Sequence, residues 1–172
     1  MNLEEQLAKS LQSYAADGLY VVGGIPPKKL VNAIQNFPID ARDTVLALID
    51  ATVMGSCKTG MAFGLRGIYW KNDWTTKSQN SYLSWDDLSR IKSFIDHKMF
   101  DVVLGPGNAC NLSGASVKPP HVANLLRQLI GIYDDFKAES AQAIQPVAAA
   151  PAVPPTVGTV TAPALPAATA AA

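Results

Sequence analysis

The sequence predicts an α+β fold: two helices, then six or seven short antiparallel strands, then one helix that covers them. Three observations predict it. Apolar spacing is helical near both ends of the charged part of the chain and strand-like between them. Glycine-bracketed and polar turns separate that middle stretch into short β-type runs. The third observation is an apolar face on the last helix that demands a partner. All 14 basic and 14 acidic residues lie at or before Glu139, and the last 32 residues hold 13 Ala and 6 Pro. The chain therefore divides into an N-terminal helix over 1–18, a main domain with its own leading helix over 19–139, and a disordered tail over 140–172.

Leu3, Leu7, Leu11 and Tyr14 recur at helical spacing over residues 2–17, and Gly18 is a natural stop. Leu19–Val22 is a short strand ended by Gly23-Gly24. Pro26-Pro27 opens a second helix, because proline at the first turn sacrifices no intrahelical bond. It carries Leu30, Ala33, Ile34 and Phe37 on one side and stops at Pro38. From Val45 to Val53 both alternating sets are largely apolar, which predicts a strand buried on both faces as far as Asp50. Gly55–Gly60 is a turn, followed by strands over Met61–Leu65 and Gly67–Trp70. Trp74–Asn80 is a polar loop, Ser81–Trp85 alternates, and Asp86-Asp87 starts a short helical step. Ile91–Ile95, Met99–Leu104 and Ala109–Leu112 complete the strands. Over residues 119–136, Val122, Leu125, Leu126, Leu129, Ile130 and Tyr133 form one unbroken helical face. Burying each is worth roughly 1.5–3 kcal/mol, so this helix must cover something.

Composition excludes several activities. Net charge is zero, without the basic excess of a general nucleic-acid binder. The acidic start Met1–Glu5 is no secretory signal and no segment reads as a transmembrane helix, so the expected location is cytoplasmic. Cys57 and Cys110 make no disulfide framework and read as small buried thiols, their mutual distance left open. Gly55–Gly60 has phosphate-loop glycine spacing, but Met61 and Ala62 stand where Lys and Ser/Thr are needed. Cys57, His97, Cys110 and His121 lack the spacing of a zinc site. No catalytic set, cofactor or metal is predicted. An enzyme would need Asp50, Cys57 and His97 to converge in one pocket.

Five residues stand out as possible partner or ligand contacts. Asp50 ends an apolar strand and is expected to cap the Gly55 turn through backbone amides. Lys58, Arg66 and Lys71 are basic turn residues suited to an anionic surface. Trp74 belongs to an aromatic stretch with Tyr69, Trp70, Tyr82 and Trp85, most of which is expected to fill the core.

Several phrases then occur in order. Ile25-Pro26-x-Lys28-Lys29-Leu30-x-Asn32-Ala33-Ile34 precedes Asp43-x-Val45-Leu46-Ala47-Leu48-Ile49-Asp50-x-Thr52 and Gly55-Ser56-Cys57-Lys58-x-Gly60. Gly67-Ile68-Tyr69-Trp70-Lys71, Ser81–Leu88 and Asn111-Leu112-Ser113-Gly114 follow. Over about residues 20–135 the chain resembles a bacterial, pleckstrin-homology-like domain family of unknown function. The resemblance implies a bent antiparallel partial barrel closed by the C-terminal helix, with a helical pair in front and no transferable catalytic residues. The functional expectation is a non-enzymatic binding or scaffolding module. Its protein or peptide partner would dock on an unpaired strand edge, or residues 2–37 would form a homo-oligomer seam. The alternatives are an anionic lipid or membrane surface, reached through the basic turns, and an enzyme of unknown type.

Overall fold

The computed structural model describes residues 1–15 and 18–144. It is α+β, with four helices and two antiparallel sheets of five and three strands among these residues. Helix α1 (Leu3–Ser13) starts in a capping box, Asn2 Oδ1 accepting from the Glu5 amide while Glu5 accepts from Asn2. It ends at Ser13, short of the expected position 17; Ala16 and Asp17 lie outside the described residues. Strands β1 (Leu19–Val21), β2 (Val45–Asp50), β3 (Gly60–Gly64), β4 (Gly67–Lys71) and β5 (Tyr82–Ser84) form a meander in chain order. Helix α2 (Pro27–Asn36) is inserted between β1 and β2, with proline in its first turn as predicted.

The β3, β4 and β2 side chains are buried on both faces, as the continuous apolar runs require. On one face Leu46, Ile49, Met61, Phe63, Ile68 and Trp70 join the main core. On the other, Leu48, Ala62 and Tyr69 pack with Ala33 and Phe37 of α2. Gly60 is needed where β3 meets β2: its φ is +136°, and a β-carbon there would lie 2.0 Å from the Ile49 carbonyl oxygen.

Beyond β5, a second capping box (Ser84 with Asp87) starts helix α3 (Trp85–Arg90). The Trp85 indole donates to the carbonyls of Gly64 and Leu65, at 3.2 and 3.1 Å, tying this helix to the β3–β4 turn. The strand expected over Ile91–Ile95 does not form. A 3-10 turn occupies Lys92–Phe94, and β6 (Ile95–His97) begins only there. The reason is local: α3 runs on to Arg90, and the Phe94 amide closes its turn on the Ile91 carbonyl. His97 ends β6. Strands β7 (Asp101–Leu104) and β8 (Ala109–Asn111) complete the second sheet.

Helix α4 (Pro119–Ile144) packs against α1, α3, β6 and β7. Val122, Ala123, Leu125, Leu126, Leu129 and Ile130 are all buried in the same core as Leu7 and Leu11 of α1. The helix continues five residues into the segment read as tail; residues 145–172 lie outside the described residues. None of the described helices is long and apolar enough to cross a membrane.

Leu129 is fully buried, so Leu129→Ala should cost about 2–5 kcal/mol, read as a lower urea midpoint at unchanged slope. Val31→Ala, on the exposed side of α2, should stay within about 0.5 kcal/mol. Equal costs would overturn the assignment of α4 to the core.

Candidate functional site

Antiparallel pairing brings Asp50, Gly60, Lys71 and Tyr82 to one end of the five-stranded sheet. The β2–β3 loop (51–59) and the β4–β5 loop (72–81) therefore project from that end. Asp50 organises the first of these. Its Oδ1 accepts from the Thr52 amide (2.9 Å), the Thr52 hydroxyl (2.5 Å) and the Cys57 amide (3.1 Å). Thr52 Oγ1 in turn accepts from the amides of Ser56 (2.7 Å) and Cys57 (3.1 Å). These bonds hold Cys57 at φ 55°, a left-handed conformation unusual for a residue with a β-carbon.

Lys29 of α2 completes the arrangement. Its ammonium pairs with Asp50 Oδ2, donates to the Gly55 carbonyl and lies 5.0 Å from the centre of the Tyr20 ring. Asn32, one turn on, donates to the Ser56 carbonyl at 2.6 Å. Burial alone would raise the Asp50 carboxyl, but the bonds from Lys29 and Thr52 outweigh it and hold it below the ordinary carboxylate range. Burial opposes the Lys29 charge in the same way, and Asp50 reverses that too, raising the ammonium's pKa. A cleft of about 300 Å³ opens beside the pair, lined by Tyr20, Lys29, Asp50, Thr52, Gly55 and Ser116. Every Asp50 oxygen in it is already engaged, so the group is a structural anchor and no free base.

Both cysteines are free thiols and buried. Cys57 is buried on the α2 side of the sheet and Cys110 in the main core. Burial, with help from the nearby Asp50 charge, pushes the Cys57 thiol up to about 12 against the opposing charge of Lys29. Burial also raises Cys110. His97 stands partly exposed in the other sheet, 3.5 Å from Asp96. Among the described residues no three His, Cys, Asp or Glu side chains converge to hold a metal.

The basic turn residues do not form one group. Lys58 and Lys71 are at the end described above, with Lys71 donating to Asn36 Oδ1 at 3.2 Å. Arg66 lies in the β3–β4 turn at the opposite end, paired with Asp40 at 3.3 Å. One strand lies between it and each of Lys58 and Lys71, so it stands apart from them. Of the aromatic stretch, Tyr69, Trp70 and Trp85 are buried, whereas Tyr82 stacks on Tyr69 at the surface and Trp74 is fully outside.

Loops from the second sheet join the same end. Thr76 donates to Asp101 at 3.2 Å, Asn72 accepts from the Asn111 amide at 2.8 Å, and the Leu112 amide donates to the Phe100 carbonyl at 2.7 Å. These bonds bring the β6–β7 turn, Lys98–Phe100, alongside the β4–β5 loop. Gly114 brings in the β8–α4 loop, because a β-carbon there would sit 2.1 Å from the Ala51 carbonyl oxygen.

The result is a surface whose key members sequence reasoning largely missed. Val53, Met54, Trp74 and Met99 are 89, 90, 91 and 83% exposed, the highest values among the described large apolar residues. All four sit on this end's loops. Around them Lys28, Lys58, Lys71, Lys77, Lys98 and Lys118 are exposed, and none of the six forms an ion pair among the described residues. The opposite end holds paired charges: Arg42 and Arg66 with Asp40, Arg90 with Asp87, Lys137 with Asp86. Comparison of the chain with known protein families, curated proteins and solved structures finds no match.

Two outcomes test this assignment. Asp50→Asn should destabilise the protein by about 3 kcal/mol near neutral pH, because it strands the Lys29 charge. A carboxyl lowered in the folded state stabilises above its unfolded value, and that contribution is lost as pH falls through the folded one. Thermal melting should thus fall below about pH 4 more steeply in the parent than in the variant. Thiol labelling near pH 8 should modify neither cysteine until denaturant is added; rapid labelling of Cys57 in the folded chain would restore it as a candidate nucleophile.

Proposed function

We propose that this chain is a non-enzymatic binding module of pleckstrin-homology-like construction that docks on an anionic membrane surface through its loop end. The observation that carries the reading is the coincidence of the four most exposed apolar side chains with six unpaired lysines. Lysines near an anionic leaflet contribute about 1 kcal/mol each, and apolar tips add burial at the headgroup boundary. Neither alone gives stable attachment; together they supply the two signals that reversible docking requires. Packing of α4's apolar side against β6 and β7 of the second sheet supports the pleckstrin-homology-like construction, and the engaged state of Asp50 and the burial of Cys57 support a non-catalytic role.

A peptide partner added to the β5, β6 or β8 edge has less support. The β8 edge is occupied by Asn72 and Ser78, which bond Ala109 and Asn111. On β6, Arg127 takes the outward Ile95 carbonyl, and on β5 the Ser84 amide is used by Asp87. Helices α1 and α2 turn their buried faces into this chain's own cores, so no second copy is required to cover those.

Co-sedimentation with vesicles tests the reading. The chain should bind phosphatidylcholine vesicles containing phosphatidylglycerol, lose that binding between about 0.1 and 0.5 M salt, and ignore phosphatidylcholine alone. Met54→Asn with Trp74→Ser should weaken binding at least ~10-fold at unchanged melting temperature, since both side chains are exposed. Absence of parent binding to anionic vesicles overturns the membrane reading.

A further inference from the structure

We infer that residues 156–161 of this same chain dock along the free edge of β1 and extend the five-stranded sheet by one strand. The inference is independent of the membrane reading. β1 is an outermost strand of its sheet, paired with β2 alone. In an antiparallel ladder alternate residues turn their amide and carbonyl to the partner. Gly18 and Val22 do so: the Asp50 amide donates to the Gly18 carbonyl at 3.2 Å, and the Val22 amide to the Leu46 carbonyl at 2.8 Å. Leu19 and Val21 therefore turn theirs away from the sheet. The Val21 carbonyl accepts from the Gly24 amide at 2.8 Å. Among the described residues no other turn or loop backbone bond reaches the amides of Leu19 and Val21 or the Leu19 carbonyl. Both residues are buried, at 4 and 5% exposure, where backbone polar groups without a partner are costly.

Two clefts flank this edge. One, of about 420 Å³, lies between β1 and Gln12 and Ala15; the other, of about 270 Å³, lies among Tyr14, Leu19, Val122 and Leu125. They share Ala15 and Leu19, and no Asp, Glu, Lys or Arg is among the described residues lining either. The C-terminal segment matches this groove in charge, pattern and length. No charged residue follows Glu139. Pro146, Pro151, Pro154 and Pro155 precede the stretch Thr-Val-Gly-Thr-Val-Thr-Ala over 156–162, the longest without proline between 145 and 172. It holds five of the eight Val and Thr residues of 145–172, which makes it the part of that segment fittest to pair as a strand. Val157 and Val160, three positions apart, fall on opposite faces of a strand. In either register one of them turns to the side of Leu19 and Val21, toward the smaller cleft. The helix from Val122, at that cleft, to Ile144 spans about 33 Å. The twelve proline-rich steps from Ile144 to Thr156 reach about 37 Å. A tether whose length matches its span gives the largest effective concentration, so a short edge suffices to hold the segment.

The test is amide NMR on the full chain with Ala162→Cys and a nitroxide attached at that position, Cys57 and Cys110 being buried. The label should broaden the amide signals of Leu19, Val21 and Val22 until most of their intensity is lost. Adding Val157→Pro/Val160→Pro, which changes no described residue, should restore them. Ala15→Arg, at an exposed position on the wall common to both clefts, should restore them as well. Signals that stay sharp in the labelled parent overturn the inference. Broadening that survives the proline substitutions means contact without strand pairing and overturns it too. Broadening that arises only on a nitrogen-15 chain without nitroxide, mixed with the nitroxide-bearing chain, gives the groove to a second copy's segment and overturns the assignment to the same chain.

Discussion

The whole molecule follows from strands β2, β3 and β4 having no face that tolerates water. Leu46 and Ile49 point into one core, Leu48 and Ala62 into the other. A sheet of that kind needs a cover on each side, and the chain supplies two unrelated ones. The main core is completed by α1, α4 and the second sheet; the smaller one is closed by α2 together with Cys57 of the β2–β3 loop. One polar interaction fixes the position of that second cover. Lys29 reaches past the end of β2 to pair with Asp50, and the same carboxylate folds the β2–β3 loop back on itself. A buried pair of this sort contributes little net stability against an apolar substitute, because desolvation offsets attraction. What it contributes is register between a helix, a strand end and a loop.

Periodicity made most of this legible. The helical faces over Leu3–Leu11 and Val122–Ile130, the Pro26-Pro27 start and the doubly apolar strand ending at Asp50 all appear where the spacing put them. The reading failed where tertiary bonds override local pattern. β2 stops at Asp50 as expected, but the pattern did not show the cause, which is the Asp50 carboxylate turning onto the Thr52 amide. That throws Val53 and Met54 outward. Ile91–Ile95 looks like a strand, but the capping box at Ser84 and Asp87 commits the preceding residues to a helix. Lys29 gave a usable signal, since it shares a helical side with Ala33 and Phe37, both buried. Nothing in one dimension separates Arg66 from Lys58 and Lys71, because loop ends are assigned only once strand directions are known.

Exact charge balance conceals a strong asymmetry of a similar origin. The ion pairs of Asp40, Asp86 and Asp87 lie at one end, whereas six lysines without an ion pair among the described residues lie on or beside the opposite loops, where Lys29 is paired with Asp50. A structural account of those lysines is available: they would keep exposed apolar tips from self-association, as charged residues flanking hydrophobic segments do. That account explains the lysines given the tips, but leaves the tips themselves without a cause. Large apolar side chains confer no stability when exposed and create an association hazard. Polar replacements at Val53, Met54, Trp74 and Met99 would remove the hazard at no packing cost, since each is more than four-fifths exposed. A surface that retains both the hazard and its countermeasure on loops held by Asp50, Asn72, Thr76 and Asn111 is better explained by something that the tips enter and the lysines attract.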